Sequence, residues 1–81
     1  MELLDTIELM KSSDFKDRFK AEYYQLKIRN DKLSAMLDKY DTGKLEFTPK
    51  CGIELLTAQH QFMTAYLHIL EERAEVEGIE L

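Results

Sequence analysis

Phe15, Phe19, Tyr23, Leu26, Asn30, Leu33, Leu37 and Tyr40 follow one another at intervals of 4, 4, 3, 4, 3, 4 and 3 residues. That rhythm tracks the 3.6-residue turn and returns the same face every two turns, so it predicts a long amphipathic helix over residues 14–40. A second run places Leu56, Met63, Leu67, Leu70 and Ala74 on one face and Leu55, Phe62, Tyr66, Ile69 and Val76 on a row beside it, which predicts a helix over 51–77. Gly and Pro occur only at Gly43, Pro49, Gly52 and Gly78, so residues 41–50 form the connection between the two helices. Two helices of matching length, roughly 38 Å each at 1.5 Å per residue, pack antiparallel. Leu3, Leu4, Ile7 and Met10 add a short N-terminal helix over 1–12. The expected fold is all-α: one domain over residues 1–81, an antiparallel helical hairpin with a short N-terminal helix.

Local signals refine the ends. Ser13 is the expected N-cap of the first long helix, with Asp14 and Asp17 in its first turn, and Gly43 stops it. Thr48 and Pro49 fit N-cap and N1 of the second helix, unless Gly52 delays its start by a turn. Leu45 to Phe47 have room for a short extended piece.

The stretch LLTAQHQFMTAYLHIL, residues 55–70, contains no Asp, Glu, Lys or Arg, although 33% of the chain is charged. One partner helix covers one stripe. A second apolar row left in water would be a patch that small monomers avoid, so the second helix is expected to be surrounded on more than one side. The short N-terminal stretch is expected to cross onto a neighbouring subunit or to cap the hairpin, and the chain to form a homo-oligomer. At 81 residues a single core gives little net stability, which makes association the natural source of extra burial.

Charge and composition narrow the chemistry. A net charge of −5 argues against duplex nucleic acid as a partner. Residues 55–70 are too short and polar for a membrane span. The acidic N-terminus does not resemble an export signal, and the lone Cys51 forms no intramolecular disulfide or zinc cluster, so a reducing cytosol is the expected compartment. No cofactor or metal is expected: His60 and His68 are eight residues apart and lack a ligand partner at helical spacing. Neither a triad order nor a phosphate loop is present, so no catalytic residue is assigned and the chain is not read as an enzyme.

The basic residues are uneven. Residues 14–40 hold seven of the eleven Lys and Arg, whereas Arg73 is the only one after residue 52. Lys16, Lys20, Tyr24 and Lys27 share one helix face with Tyr23 at its border. Such a face holds phosphates and stacks a base, or is a solvated face paired with nearby acids. Arg18, Arg29 and Lys32 form a second, looser basic edge. Asn30, in the apolar seam, reads first as a buried amide that sets register.

The segments DFKDRFKAEYYQLKIRNDKLSAMLDKY and GIELLTAQHQFMTAYLHILEERAEVEGI resemble small phage proteins related to a product of crAss-like phages. The positions that carry the resemblance are Phe15, Arg18, Phe19, Glu22, Leu26, Lys32, Leu33 and Leu37, then Leu55, Leu56, Gln59, Met63, Tyr66, Leu70 and Arg73. In topology that family is similar to the helical-hairpin sponges that counter CBASS and Thoeris immunity. The resemblance implies a non-catalytic oligomer that traps a cyclic nucleotide or cyclic ADP-ribose-like signal between subunits, with Lys32 and Arg73 matching the family pattern. No equivalent of those sponges' base-stacking Tyr motif is found at the start of the first helix. The expected ligand contacts are Lys20, Tyr23, Tyr24, Lys27, Lys32 and Arg73. Two other readings stay open: an acidic inhibitor that binds a host defence protein through Glu71, Glu72 and Glu75, and an oligomeric accessory protein with no ligand.

Overall fold

A computed structural model describes all residues 1–81 and contains only helices. A 3₁₀ turn, Leu3–Thr6, runs into α1, Ile7–Lys11; the long helices are α2, Phe15–Asp41, and α3, Ile53–Glu77. The side-chain pairs Tyr23–Glu71, Asn30–Thr64 and Asn30–His60 join early α2 to late α3, so the long helices lie side by side in opposite directions.

Helix ends follow from local chemistry. Asp14, one residue after the expected Ser13, caps α2: its carboxylate accepts the Lys16 amide at 3.0 Å, satisfying one of the helix's orphan N–H groups. Ser12 supports this cap by accepting the Asp14 amide and donating to Asp17. At the other end Gly43 takes φ 72°, and the Gly43 and Lys44 amides reach back to the Tyr40 and Lys39 carbonyls. This paired closure satisfies two carbonyls and needs a residue free to adopt left-handed φ.

Of the two starts expected for α3, at Thr48–Pro49 or delayed by Gly52, the later one is found. Pro49 opens a turn closed by the Gly52 amide on the Pro49 carbonyl, and Gly52 has φ 82° and ψ 151°, a conformation closed to side chains bearing a Cβ. The helix therefore begins at Ile53. Leu45 to Phe47 form no strand; that stretch is coil and bend.

The core sits at one end of the paired helices. Phe19 and Tyr23 from α2 meet Leu67, Leu70 and Ala74 from α3, with Tyr24 and Leu26 packed against them. Ile79 completes the cluster because Gly78 reverses the chain at φ 69° and the Ile79 amide bonds the Ala74 carbonyl at 2.8 Å. Towards the connection, Leu33, Leu37, Ile53 and Leu56 are only half-buried.

Between these ends lies a polar layer. Thr64 donates its hydroxyl proton to the His60 carbonyl, so its oxygen accepts the Asn30 amide NH₂ at 3.0 Å. The Asn30 carbonyl then faces His60 Nδ1 at 2.8 Å, which requires the proton on that nitrogen. Buried Asn30 thus has partners on both sides of its amide, and a slip of α3 by one residue would orphan them.

The N-terminal segment folds back on α2 of its own chain, and its backbone does not come close to that of α3. Thr6, fully buried, accepts the Gln25 side-chain amide at 2.8 Å and donates to the Leu3 carbonyl. Ala21, one turn before Gln25, is also buried, because its small side chain lets this segment approach α2. The segment, expected to cross onto a neighbour or to cap the hairpin, packs along α2 of its own chain. Leu55, Phe62, Tyr66, Ile69 and Val76 consequently all remain exposed.

The surface reflects this. The chain exposes 5999 Å², against about 5,050 Å² expected for a folded monomer of its mass. Its radius of gyration is 15.0 Å, against about 12 Å for a typical domain of this length.

Candidate functional site

Arg18, Glu22, Gln25 and Arg29 are spaced by 4, 3 and 4 residues and therefore share one side of α2. They line a trough of about 370 Å³, with Met10 of α1 on one wall and Tyr66 of α3 on the other. Ala21 and Leu26 add apolar floor. The volume falls within the roughly 300–1,000 Å³ of small-molecule sites.

Specific contacts hold Arg18, Gln25 and Tyr66. Arg18 Nη1 donates to the Ser12 carbonyl at 2.8 Å, which fixes the guanidinium over the α1–α2 link and leaves its other N–H groups free. Gln25 is tied to Thr6. Tyr66 donates its hydroxyl to the Glu22 carboxylate, and that bond, followed by burial, raises the Tyr66 pKa while the nearby Arg73 opposes the rise. Arg73 also lies over the Phe19 ring, 5.1 Å from its centroid, a cation–π contact that orients the guanidinium while leaving its edge open. The chain's two ion pairs, Lys11–Glu8 and Lys27–Asp31, are elsewhere. Arg18, Arg29 and Arg73 therefore keep charges that no carboxylate holds within ion-pair distance.

The sequence-derived candidates are dispersed. Arg73 stacks on Phe19 and lies outside the trough lining. Lys20, Tyr24 and Lys27 lie about half a turn around α2 from Arg18 and Arg29. Of these, Lys20 and Tyr24 are half-buried, and exposed Lys27 lies 3.5 Å from Asp31. Tyr23 is a core residue: its hydroxyl donates to Glu71 at 2.7 Å, and burial, aided by that bond and the Glu71 charge, pushes its pKa up to about 12. Tyr24 meets the Tyr23 ring edge-on at 5.4 Å. Exposed Lys32 lies one turn beyond Arg29.

The trough residues that sequence reasoning passed over are Glu22, Gln25, Tyr66 and Met10. The 4, 3, 4 spacing of polar residues from Arg18 to Arg29 was the available signal for the α2 wall. No group of three His, Cys, Asp or Glu side chains is gathered that would hold a metal ion. No helix is long and apolar enough to cross a membrane. The arrangement suits binding of an anionic, partly aromatic molecule: the guanidinium groups of Arg18, held by Ser12, and of Arg29 can meet phosphate oxygens in pairs, while Tyr66 and Met10 offer apolar surface.

Neither a curated protein nor a solved structure matches this chain. A family model, Sequestin, matches residues 13–76, a span that includes α2, nearly all of α3 and every trough residue except Met10. The name denotes sequestration, that is, binding rather than catalysis. The chain belongs to the Sequestin family.

Proposed function

We propose that this chain is a phage-encoded, non-catalytic sponge that counters bacterial immunity by sequestering a nucleotide-derived signal, a cyclic nucleotide or a cyclic ADP-ribose-like molecule. The observation that carries this reading is the Arg18–Arg29 trough, bounded by Tyr66. Phosphates bring charge that guanidinium groups hold through paired, charge-assisted hydrogen bonds, and a base brings a flat apolar face. Ties from Ser12, Thr6 and Glu22 position the walls before a ligand arrives, so little ordering entropy is lost on binding. Membership of the Sequestin family supports sequestration, and the resemblance to small phage proteins supports the anti-immune role. The exposed α3 row supports an oligomer. Lys20, Tyr24 and Lys27 form a second basic surface on the other side of α2, while Lys32 extends the Arg18–Arg29 edge by one turn.

An acidic protein-binding role is favoured by one feature: Glu72, Glu75 and Glu77 are exposed at the end of α3, and no basic residue lies in its last turn. A thermal-shift panel of cyclic di- and trinucleotides and cyclic ADP-ribose isomers separates the readings. A ligand at 100 times its Kd stabilises by about 2.7 kcal/mol, which raises the Tm of a domain this size by on the order of 10 °C. A shift of that size with at least one member is expected. A flat response to the whole panel would remove the sponge and leave protein binding.

A further inference from the structure

Leu55, Phe62, Ile69 and Val76 follow one another at intervals of seven residues along α3, and they are 65%, 76%, 56% and 87% exposed. An α-helix drifts only ~20° per heptad, so the row stays on one side of α3 for its whole length. Because the N-terminal segment packs on α2, nothing in the chain covers it. We propose that a second copy of this chain does: two α3 helices pair antiparallel through this row, about a twofold axis between Ala65 and Tyr66, so that the partner's α3 walls each trough.

Three observations select this occupant and this direction. The first is the row's self-complementarity. About its midpoint Leu55 faces Val76 and Phe62 faces Ile69, which is what an isologous contact requires of one surface. Ala58 and Ala65, three residues after Leu55 and Phe62, border the row with small side chains that let two helix axes approach.

The second is charge. Residues 55–70 carry none, whereas Glu71, Glu72, Glu75 and Glu77 crowd the C-terminal end. Parallel pairing would set the two acidic ends against each other. The antiparallel arrangement separates them: Glu71, Glu72 and Glu75 come beside the uncharged stretch of the partner helix, near its positive N-terminal dipole, and Glu77 alone comes level with an acid, Glu54.

The third is area. The chain exposes 5999 Å², about 950 Å² more than a folded monomer of its mass, and a standard interface takes about 800 Å² from each partner.

The axis explains why the row and the trough belong together. Tyr66 lines the trough and borders the row, so the twofold brings the two troughs close to each other. This deepens the sponge reading by making its site a product of two chains. Its test is read without ligand, so pairing and binding can fail separately.

Oxidative cross-linking distinguishes the arrangements, in a Cys51→Ser background because Cys51 is exposed. Leu55→Cys and Val76→Cys alter exposed positions, so circular dichroism should show unchanged helix content. The double variant should form a disulfide-linked dimer, whereas each single variant should form none, since like positions lie about 30 Å apart in the antiparallel pair. Cross-linking of either single variant would establish parallel pairing and overturn the proposal. So would a double variant that stays uncross-linked, or a wild-type particle at micromolar concentration of 9.5 kDa or an odd multiple of it.

Discussion

The two sides of α3 are similarly apolar and meet opposite fates. Leu67, Leu70 and Ala74 lie against Phe19 and Tyr23 and are buried; Leu55, Phe62, Ile69 and Val76 lie outside and are exposed. Hydrophobicity therefore does not decide which side is core. The partner does: α2 supplies aromatic rings to one side, and the N-terminal segment, the only other element of the chain, packs elsewhere. The contrast also locates function, because Tyr66 stands at the border between the outward row and the trough.

The largest expected effect tests the packed side. Leu70 is 1% exposed, so Leu70→Ala should cost about 2–5 kcal/mol in a denaturant melt, enough to threaten a domain this small. Phe62→Ala removes a larger side chain, yet its cost in dilute solution should stay within about 0.5 kcal/mol and grow with protein concentration. A large, concentration-independent loss at Phe62 would contradict the contrast.

Asn30→Ala comes next. It leaves His60 Nδ1–H and the Thr64 hydroxyl without their partner at a half-buried layer, and should lower stability by about 1–3 kcal/mol. A neutral result would mean that water replaces the amide and that the layer does not set register.

Tyr23→Phe should cost about 1 kcal/mol, because Glu71 is at the surface and regains water. Its pH dependence is more telling. Folding raises the Tyr23 pKa from 10.0 to about 12, so the stabilisation is complete below pH 10 and is lost as pH rises through 12. An alkaline melt series should show that loss in the wild type and a smaller one in Tyr23→Phe. Matching profiles would place the Tyr23 hydroxyl in water.

Much of the fold was legible in the sequence. Breakers confined to Gly43, Pro49, Gly52 and Gly78 delimited two helices, and the 4-and-3 spacing marked the seam that contains Phe19, Tyr23 and Asn30. Helix starts were less legible, since Ser13 and Asp14 are both good caps and Pro49 is as suitable for a turn as for N1; only the positive φ of Gly52 resolves the second case. The docking of Thr6 on Gln25 has no periodic signature, because a short segment pairs with whatever surface a long helix offers.

The candidate site was less legible still. Its walls come from Met10, Arg18, Arg29 and Tyr66, residues on three elements whose proximity only the fold creates. Tyr23 illustrates the converse. Beside Tyr24 and between lysines it reads as a stacking residue, and its hydroxyl makes it look polar, but Glu71 satisfies that hydroxyl and the ring fills the core.

The smallest expected effect on folding, and a large one on binding, is that of Arg18→Glu with Arg29→Glu. Both side chains are exposed, so the apo melting temperature should change little while the ligand-induced shift disappears. Lys20→Glu with Lys27→Glu should reduce that shift less. The reverse ranking would move the site to the other side of α2.

The most direct test of sequestration counts free ligand. The protein is mixed with a signal molecule selected by the thermal-shift panel, filtered, and then heated to denature the complex. Free ligand should fall in proportion to added protein and return chemically unchanged after heating. Ligand that stays free, or that returns cleaved, would contradict a non-catalytic sponge.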